Sequence, residues 1–425
     1  MRQIRIGDQG TEVYYVQLAL QRAGYNVSLD GVMGEESCRA LRDFLKEDEC
    51  VIDETQWNRL LPYLKGYTTH QIQAGDTIWT LANEYGTTVR AIQIANPRLR
   101  EENLPTGSTI KIPFAFELVS DEVPYSSFLT ECIVEGLHVR YPFIRRESAG
   151  RSVLDKPLSV LRIGMGETQV FYSASYHANE WINTPVLLRF AEEYAWKLVN
   201  GEMFYGTRPE ELFYGFELFL LPLVNPDGVD LVNGTLQDEE AVLETMRIAR
   251  DYPQIPYPDG WKANVEGIDL NLQFPAGWEL AKQIKEAEGY VGPAPRDFVG
   301  TAPLTAPESQ AVYQYTLQHD FSLILAYHTQ GEVIYWKYLD YEPADSRRIA
   351  YYFGEVSGYA VELTPAQSGY AGYKDWFIKQ YNRPGYTIET GVGVSPLPLD
   401  QLPKIYRDNV LILIGGMTQL DHLQK

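Results

Sequence analysis

The chain is 425 residues long and carries a net charge of −21, with 45% hydrophobic and 22% charged residues. That length exceeds one ordinary core, so roughly two to four domains of a soluble globular protein are expected. The acidic balance argues against nucleic acid and anionic lipid as partners, since both need clustered Lys and Arg, and no apolar run of about 18 residues is present to span a membrane.

From Ile4 to Leu64 apolar residues recur at helical spacing (Val13, Val16 and Leu20, then Ala40, Leu41 and Phe44), and turn signals fall at Gly24-Tyr25 and Asp30-Gly31. The pattern predicts a small helical module over residues 1–66. Its Ile4-Arg5-Ile6-Gly7, Val16-Gln17-Leu18 and Asp30-Gly31-Val32-Met33-Gly34 stretches resemble the helical peptidoglycan-binding domain appended to many cell-wall hydrolases. The opening Met1–Asp8 has basic residues but no apolar stretch behind it, so it does not read as a secretory leader. Cys38, Cys50 and Cys132 are odd in number and lack metal-ligand spacing, so free thiols in a reducing compartment are expected.

Residues 67–115 carry a second pattern. His70–Gln73 reads as a strand, and Gly75-Asp76-Thr77 turns into a helix capped by Asp76 or Thr77. Tyr85-Gly86 ends that helix, Val89–Ala95 forms another, Asn96-Pro97 breaks it, and Thr109–Pro113 closes as a strand. This β-α-α-β order resembles a LysM domain. The resemblance implies binding of N-acetylglucosamine-containing glycan strands between the Gly75-Asp76-Thr77 and Asn96-Pro97 loops.

Residues 120–425 alternate strand-like runs with helical stretches such as Pro185–Leu198 and Ala306–Leu317. Such alternation predicts an α/β domain, a mixed and mostly parallel sheet flanked by helices. Four short apolar runs end on polar residues: Gln169–Ser175 before His177 and Glu180, Glu217–Val224 before Asn225-Pro226-Asp227-Gly228, Phe321–Tyr327 before His328, and Tyr386–Ile388 before Glu389. Ligands bind beyond the carboxyl ends of strands in open α/β sheets, so two histidines and two glutamates are expected at one sheet edge. Zinc in hydrolytic sites commonly takes three protein ligands and keeps one position open, and His177 and Glu180 are spaced to meet one ion. Among the other histidines, His70 belongs to the LysM pattern, His138 and His319 sit in helical contexts, and His422 lies in the tail. His328 alone ends an apolar strand, although a core histidine bonded to backbone is the alternative.

His-x-x-Glu, Asn-Pro-Asp-Gly, Gly267-Ile268-Asp269-Leu270-Asn271, a strand-end His and a strand-end Glu, in that order, resemble the zinc carboxypeptidase family. The resemblance implies His177, Glu180 and His328 as ligands of one zinc ion, Glu389 as general base and acid, and Asp269 as the carboxylate orienting a ligating imidazole. It implies Lys262 in the place of the arginine that faces the oxyanion, and a covering tyrosine at Tyr370 or Tyr373, with Tyr370 favoured.

Two departures bear on the substrate. The Asn-Arg pair that grips a C-terminal carboxylate in carboxypeptidases is Asn271-Leu272 here, and the arginine between the zinc ligands is Asn179. Simple exopeptidase action is therefore not expected. With two wall-binding modules in front, the chain resembles the γ-D-glutamyl-meso-diaminopimelate endopeptidases of spore-forming bacilli. That resemblance implies peptidoglycan stem peptides as substrate, no nucleic acid or membrane partner, and a cytoplasmic location, with association to the wall after release as the alternative. Lys262 or Asn271 is the expected reader of the free D-glutamyl carboxylate. The rival readings are a metallocarboxypeptidase trimming wall peptides and an inactive peptidoglycan-binding protein.

Overall fold

A computed structural model of the chain describes residues 2–100 and 104–420, and His422 lies outside the described residues. Backbone contacts group these residues into two compact units, one of residues up to 124 with 128–146, the other of 125–127 with 147 onward.

In the first unit the helices Thr11–Arg22, Glu35–Leu45 and Glu54–Lys65 bury Val13, Val16, Leu20, Leu41, Leu60 and Leu64 completely. The Asp30-Gly31 turn is read by buried Gln17, whose amide donates to Asp30 Oδ1 at 2.7 Å and accepts from the Gly31 N–H at 2.9 Å. Gly31 has φ +68°, and a Cβ there would lie 2.3 Å from the Tyr14 ring, so glycine is required. Next in the chain, strand Tyr67–Gln71 pairs antiparallel with Thr109–Pro113, and helices Ile78–Glu84 and Val89–Ala95 cover them over a core of Ile72, Leu81, Ile92 and Ile112.

One finding in this unit corrects the sequence reading. Cys38 and Cys50 form a disulfide, because the loop after helix Glu35–Leu45 turns back and brings their Cα atoms to 5.3 Å, within bridging range. Cys132 alone is free, and burial pushes its thiol up to about 12. From residue 128 on, helix Ser127–Arg140 packs on the end of helix Glu54–Lys65. A Cβ on Gly136 would meet the Lys65 carbonyl at 2.1 Å, and Lys65 pairs with Glu135 at 3.0 Å.

The second unit is built on eight strands: β1 Arg145–Arg151, β2 Pro157–Gly164, β3 Thr168–Ala174, β4 Phe216–Leu221, β5 Phe321–Thr329, β6 Val333–Tyr335, β7 Ala360–Glu362 and β8 Gly385–Thr390, in the sheet order β7-β6-β8-β5-β3-β4-β2-β1. β4, β3, β5 and β8 run parallel, and antiparallel pairs flank them at β2–β4 and β6–β8. The parallel strands read as near-continuous apolar runs because helices cover both faces. Phe171, Phe219 and Ile324 pack beneath helices Pro307–Leu317 and Tyr373–Tyr381, while the hydroxyl of Tyr172 on the other face donates to Leu413 O of helix Leu402–Thr418. The register sets Glu389 directly beside His328, and β3, on the other side of β5, ends with Ala174 beside Tyr327. Among the described residues no helix is long and apolar enough to cross a membrane.

Candidate metal centre and active site

The chain leaves β3 through a short 3-10 turn, Ala178–Glu180, that is clasped from below. The Ala178 N–H donates to the Lys262 carbonyl at 3.0 Å, and Asn225 Nδ2 donates to the carbonyls of Tyr176 (3.1 Å) and Ala263 (3.0 Å). A Cβ on Gly228 would lie 2.7 Å from Ala263 O and 2.8 Å from the Ala178 Cβ. The Asn-Pro-Asp-Gly element thus joins two site loops and contributes no reacting group.

From this turn His177 and Glu180 meet His328 of β5. His177 Nδ1 lies 2.9 Å from Glu180 Oε1, His328 Nδ1 lies 3.1 Å from Glu180 Oε2, and the two imidazole Nδ1 atoms are 3.3 Å apart. One ligand atom from each of the three falls within 4.8 Å of the others. His328 is flanked by the stacked ring of Tyr176, centroids 5.5 Å apart, and its buried Nε2 has no hydrogen-bond partner among the described residues. The Thr329 N–H donates to Glu180 Oε2 at 3.1 Å.

Charge states follow from this packing. Burial alone would raise the Glu180 carboxyl, but the charges of His177 and Lys262 hold it well below the usual carboxylate range. Burial opposes protonation of His177, and Glu180 and Asp269 override it and push the imidazole up to about 9. Burial lowers the pKa of His328. An ionised carboxylate and two imidazoles thus converge on one point, and the set suits zinc because a bound cation would displace the His177 proton and leave a neutral imidazole as ligand. Asp269, also ionised, receives His177 Nε2 at 3.2 Å, which fixes which imidazole nitrogen faces the centre.

Glu389 stands beside His328 in the sheet, its carboxyl has no hydrogen-bond partner among the described residues, and burial together with the Glu180 charge pushes it up to about 8. Lys262 points its ammonium at Glu180 Oε1, 3.0 Å away. Asn271 lends its Oδ1 to the Tyr373 N–H at 3.1 Å, and its Nδ2 has no hydrogen-bond partner among the described residues. Tyr370 lines a cavity of about 200 Å³ with Tyr338, Thr364 and Asp375. Tyr373 does not reach the site, which corrects its candidacy: it is fully buried, stacked on Tyr176, with its hydroxyl bonded to Thr316. Asn179, the other expected substrate contact, is only 4% exposed; its Nδ2 donates to the carbonyls of Asp259 and Ser395, and its Oδ1 has no hydrogen-bond partner among the described residues.

The side chains named for glycan contact are engaged internally. Asp76 pairs with His70 Nε2 at 2.8 Å, Thr77 caps its helix through Thr80 N, and Asn96 bridges Ile92 O to the backbone of Lys111. Gly75 and Pro97 leave backbone open on their loops, and Trp79, which the sequence reading passed over, is 68% exposed one turn away. Tyr176 and Arg296 were passed over as well. The first is flagged only by standing next to His177, the second only by lying in the long loop 289–305.

A doubly flanked, mostly parallel sheet with a His-Glu-His cluster and a glutamate at its carboxyl edge defines a metal-dependent hydrolase. The zinc carboxypeptidase profile matches residues 131–411 and the LysM profile residues 70–113. The chain is 40% identical over 303 residues, 71% of its length and 74% of the relative's, to γ-D-glutamyl-L-diamino acid endopeptidase 1 of Lysinibacillus sphaericus. It is 41% identical over 292 residues to protein YqgT of Bacillus subtilis (strain 168), covering 68% and 76% of the two chains. Bovine thrombin-activatable fibrinolysis inhibitor shares the fold with a TM-score of 0.54 at 17% identity, over 71% of this chain and 99% of that one. The chain belongs to the zinc carboxypeptidase family and carries a LysM domain, and it is a zinc metallopeptidase.

Proposed function

We propose that the protein hydrolyses the γ-D-glutamyl bond to an L-diamino acid in peptidoglycan stem peptides, with residues 67–115 holding glycan strands and residues 1–66 serving as a second wall-binding module. One observation carries the choice over a carboxypeptidase. Leu272, in the place of the carboxylate-gripping arginine, is packed among Trp278, Val299 and Ala371. A free C-terminal carboxylate would find no guanidinium there.

His177, Glu180 and His328 would hold one zinc ion, whose chemistry there would be that of a Lewis acid, making water a better nucleophile and a carbonyl a better electrophile. Glu389, whose carboxylate form a cation held by the cluster would favour over the protonated one, accepts the proton of the attacking water and passes it to the departing amine of the diamino acid. Lys262 sets a positive charge beside Glu180, where it helps the carbonyl oxygen bear its developing charge. Asp269 keeps His177 in one orientation throughout.

The Cys38–Cys50 bridge supports action outside a reducing cytoplasm, so we place the protein at the wall rather than in the cytoplasm that the sequence suggests. The test is mass spectrometry of L-Ala-γ-D-Glu-meso-diaminopimelyl-D-Ala incubated with the zinc-loaded protein and with Glu389→Gln. Release of L-Ala-D-Glu by the wild type alone is expected, and release of only terminal D-Ala would assign the protein to the carboxypeptidases.

A further inference from the structure

The loop 289–305 carries a guanidinium to the site. On one side of Arg296, the Pro295 carbonyl accepts the backbone N–H groups of Lys262 (2.7 Å) and Ala263 (3.0 Å). On the other side, the Asp297 N–H donates to Asp269 Oδ2 at 3.2 Å, and the Phe298 carbonyl accepts from the Asp269 N–H at 2.9 Å. Arg296 is therefore one residue from anchors to both the Lys262 loop and the carboxylate that orients His177. Its charge acts on the site from there, repelling Lys262 and attracting Asp269.

The guanidinium is only partly engaged. Its Nε donates to Asp297 Oδ2 at 2.6 Å, and Asp297 is shared with Lys285 Nζ at 2.8 Å. Both Nη groups lack hydrogen-bond partners among the described residues, and the side chain is 41% exposed. An arginine with its outer edge free at a catalytic rim presents the planar fork that matches a carboxylate.

A γ-linked D-glutamyl residue has such a carboxylate. Its α-carboxyl takes no part in the scissile bond and is anionic at neutral pH. A chain of net charge −21 needs a dedicated cation to receive it. Leu272 has none to offer, and the ammonium of Lys262, paired with Glu180, is assigned above to the carbonyl oxygen of the scissile bond. We propose that Arg296 reads the free α-carboxylate of the D-glutamyl residue, with the unpartnered Nδ2 of Asn271 as a neutral second donor. This assignment rests on the γ-D-glutamyl reading above and replaces Lys262 as the expected reader.

The test compares L-Ala-γ-D-Glu-meso-diaminopimelate with the same peptide bearing D-isoglutamine, whose α-carboxyl is an amide. The wild type is expected to favour the acid. Arg296→Gln is expected to lower kcat/KM on the acid by about ten- to a hundred-fold, mostly through KM, so that the ratio of acid to amide collapses toward one. Arg296→Lys should restore part of that ratio, and the zinc content of both variants should match the wild type. Retention of the wild-type ratio by Arg296→Gln, or an equal fall on both peptides, would overturn the assignment while leaving the parent function in place. A wild type that cleaves neither peptide would overturn both.

Discussion

His177 is held between two carboxylates, with its Nε2 3.2 Å from Asp269 Oδ1 and its Nδ1 2.9 Å from Glu180 Oε1. Asp269 also accepts the N–H groups of Asn271 and Asp297, so it is itself fixed by the loops it ties together. Asp269→Asn keeps the shape but offers an amide where the imidazole needs an acceptor. Zinc affinity is expected to fall by about ten- to a hundred-fold, since partners of ligating imidazoles typically contribute that much. Competition with a chelator, followed by metal analysis, measures it directly. Unchanged affinity would mean that Asp269 only shapes the loop.

Lys262 and Glu389 flank the cluster without completing its donor set. Glu389→Gln is expected to abolish turnover by about a thousand-fold or more while zinc is retained, because the proton acceptor alone is lost. Lys262→Met removes a cation 3.0 Å from a zinc-ligating carboxylate. It is expected to bind zinc at least as tightly as the wild type, yet to lose on the order of a hundred-fold in kcat, the usual cost of removing one donor to a developing oxyanion. Parallel zinc titrations and single-turnover rates separate the two quantities. Loss of zinc from Lys262→Met would show the lysine to be structural.

Much of this arrangement was legible in the sequence. Three parallel strands end near His177, His328 and Glu389, and apolar runs of strand length mark all of them because the sheet is buried on both faces. Periodicity could not separate Tyr370 from Tyr373, since both lie in one short loop-to-helix stretch. Only packing puts Tyr373 under Tyr176 and leaves Tyr370 lining a cavity. Nor could it find Arg296, whose place depends on backbone pairing between residues far apart in sequence, Asp269 with Phe298 and Lys262 with Pro295. The Cys38–Cys50 bridge was missed for a similar reason: counting thiols gives parity and spacing, whereas the pairing depends on how the chain returns after helix Glu35–Leu45.

The thiols give a simple check on that bridge. The chain has three cysteines, Cys132 is buried, and its thiol is pushed up to about 12 by burial. Native protein is expected to show no rapid reaction with a thiol reagent at neutral pH, because the thiolate is the reactive form. Denatured protein without reductant should expose one thiol, and reduced denatured protein three. Three thiols before reduction would remove the bridge and, with it, the support for an oxidising location.

Glu308 ties stability to pH at a distance from the metal ligands. It is completely buried at the start of helix Pro307–Leu317, where its carboxyl oxygens accept from Val153 N at 3.1 Å and Asn264 Nδ2 at 3.2 Å. Burial, with a further contribution from the Asp227 charge, pushes it up to about 7 from 4.5. Lys156 lies on Asp227 and partly offsets that charge. Because the folded pKa is the higher one, the folded state keeps a proton that the unfolded state gives up. Stability from this group is therefore present at low pH and is lost as pH rises through about 7, with nothing further lost above. Glu308→Gln stays neutral throughout. Between about pH 5 and about pH 7.5 the variant is expected to gain about 2 kcal/mol relative to wild type, even if the lost acceptor makes it weaker at the acid end. Urea unfolding of both proteins in chelator, followed by tryptophan fluorescence at the two pH values, cancels the shared titration of His177 and leaves this difference. Stability curves that run parallel across the interval would mean that Glu308 ionises as freely in the fold as outside it.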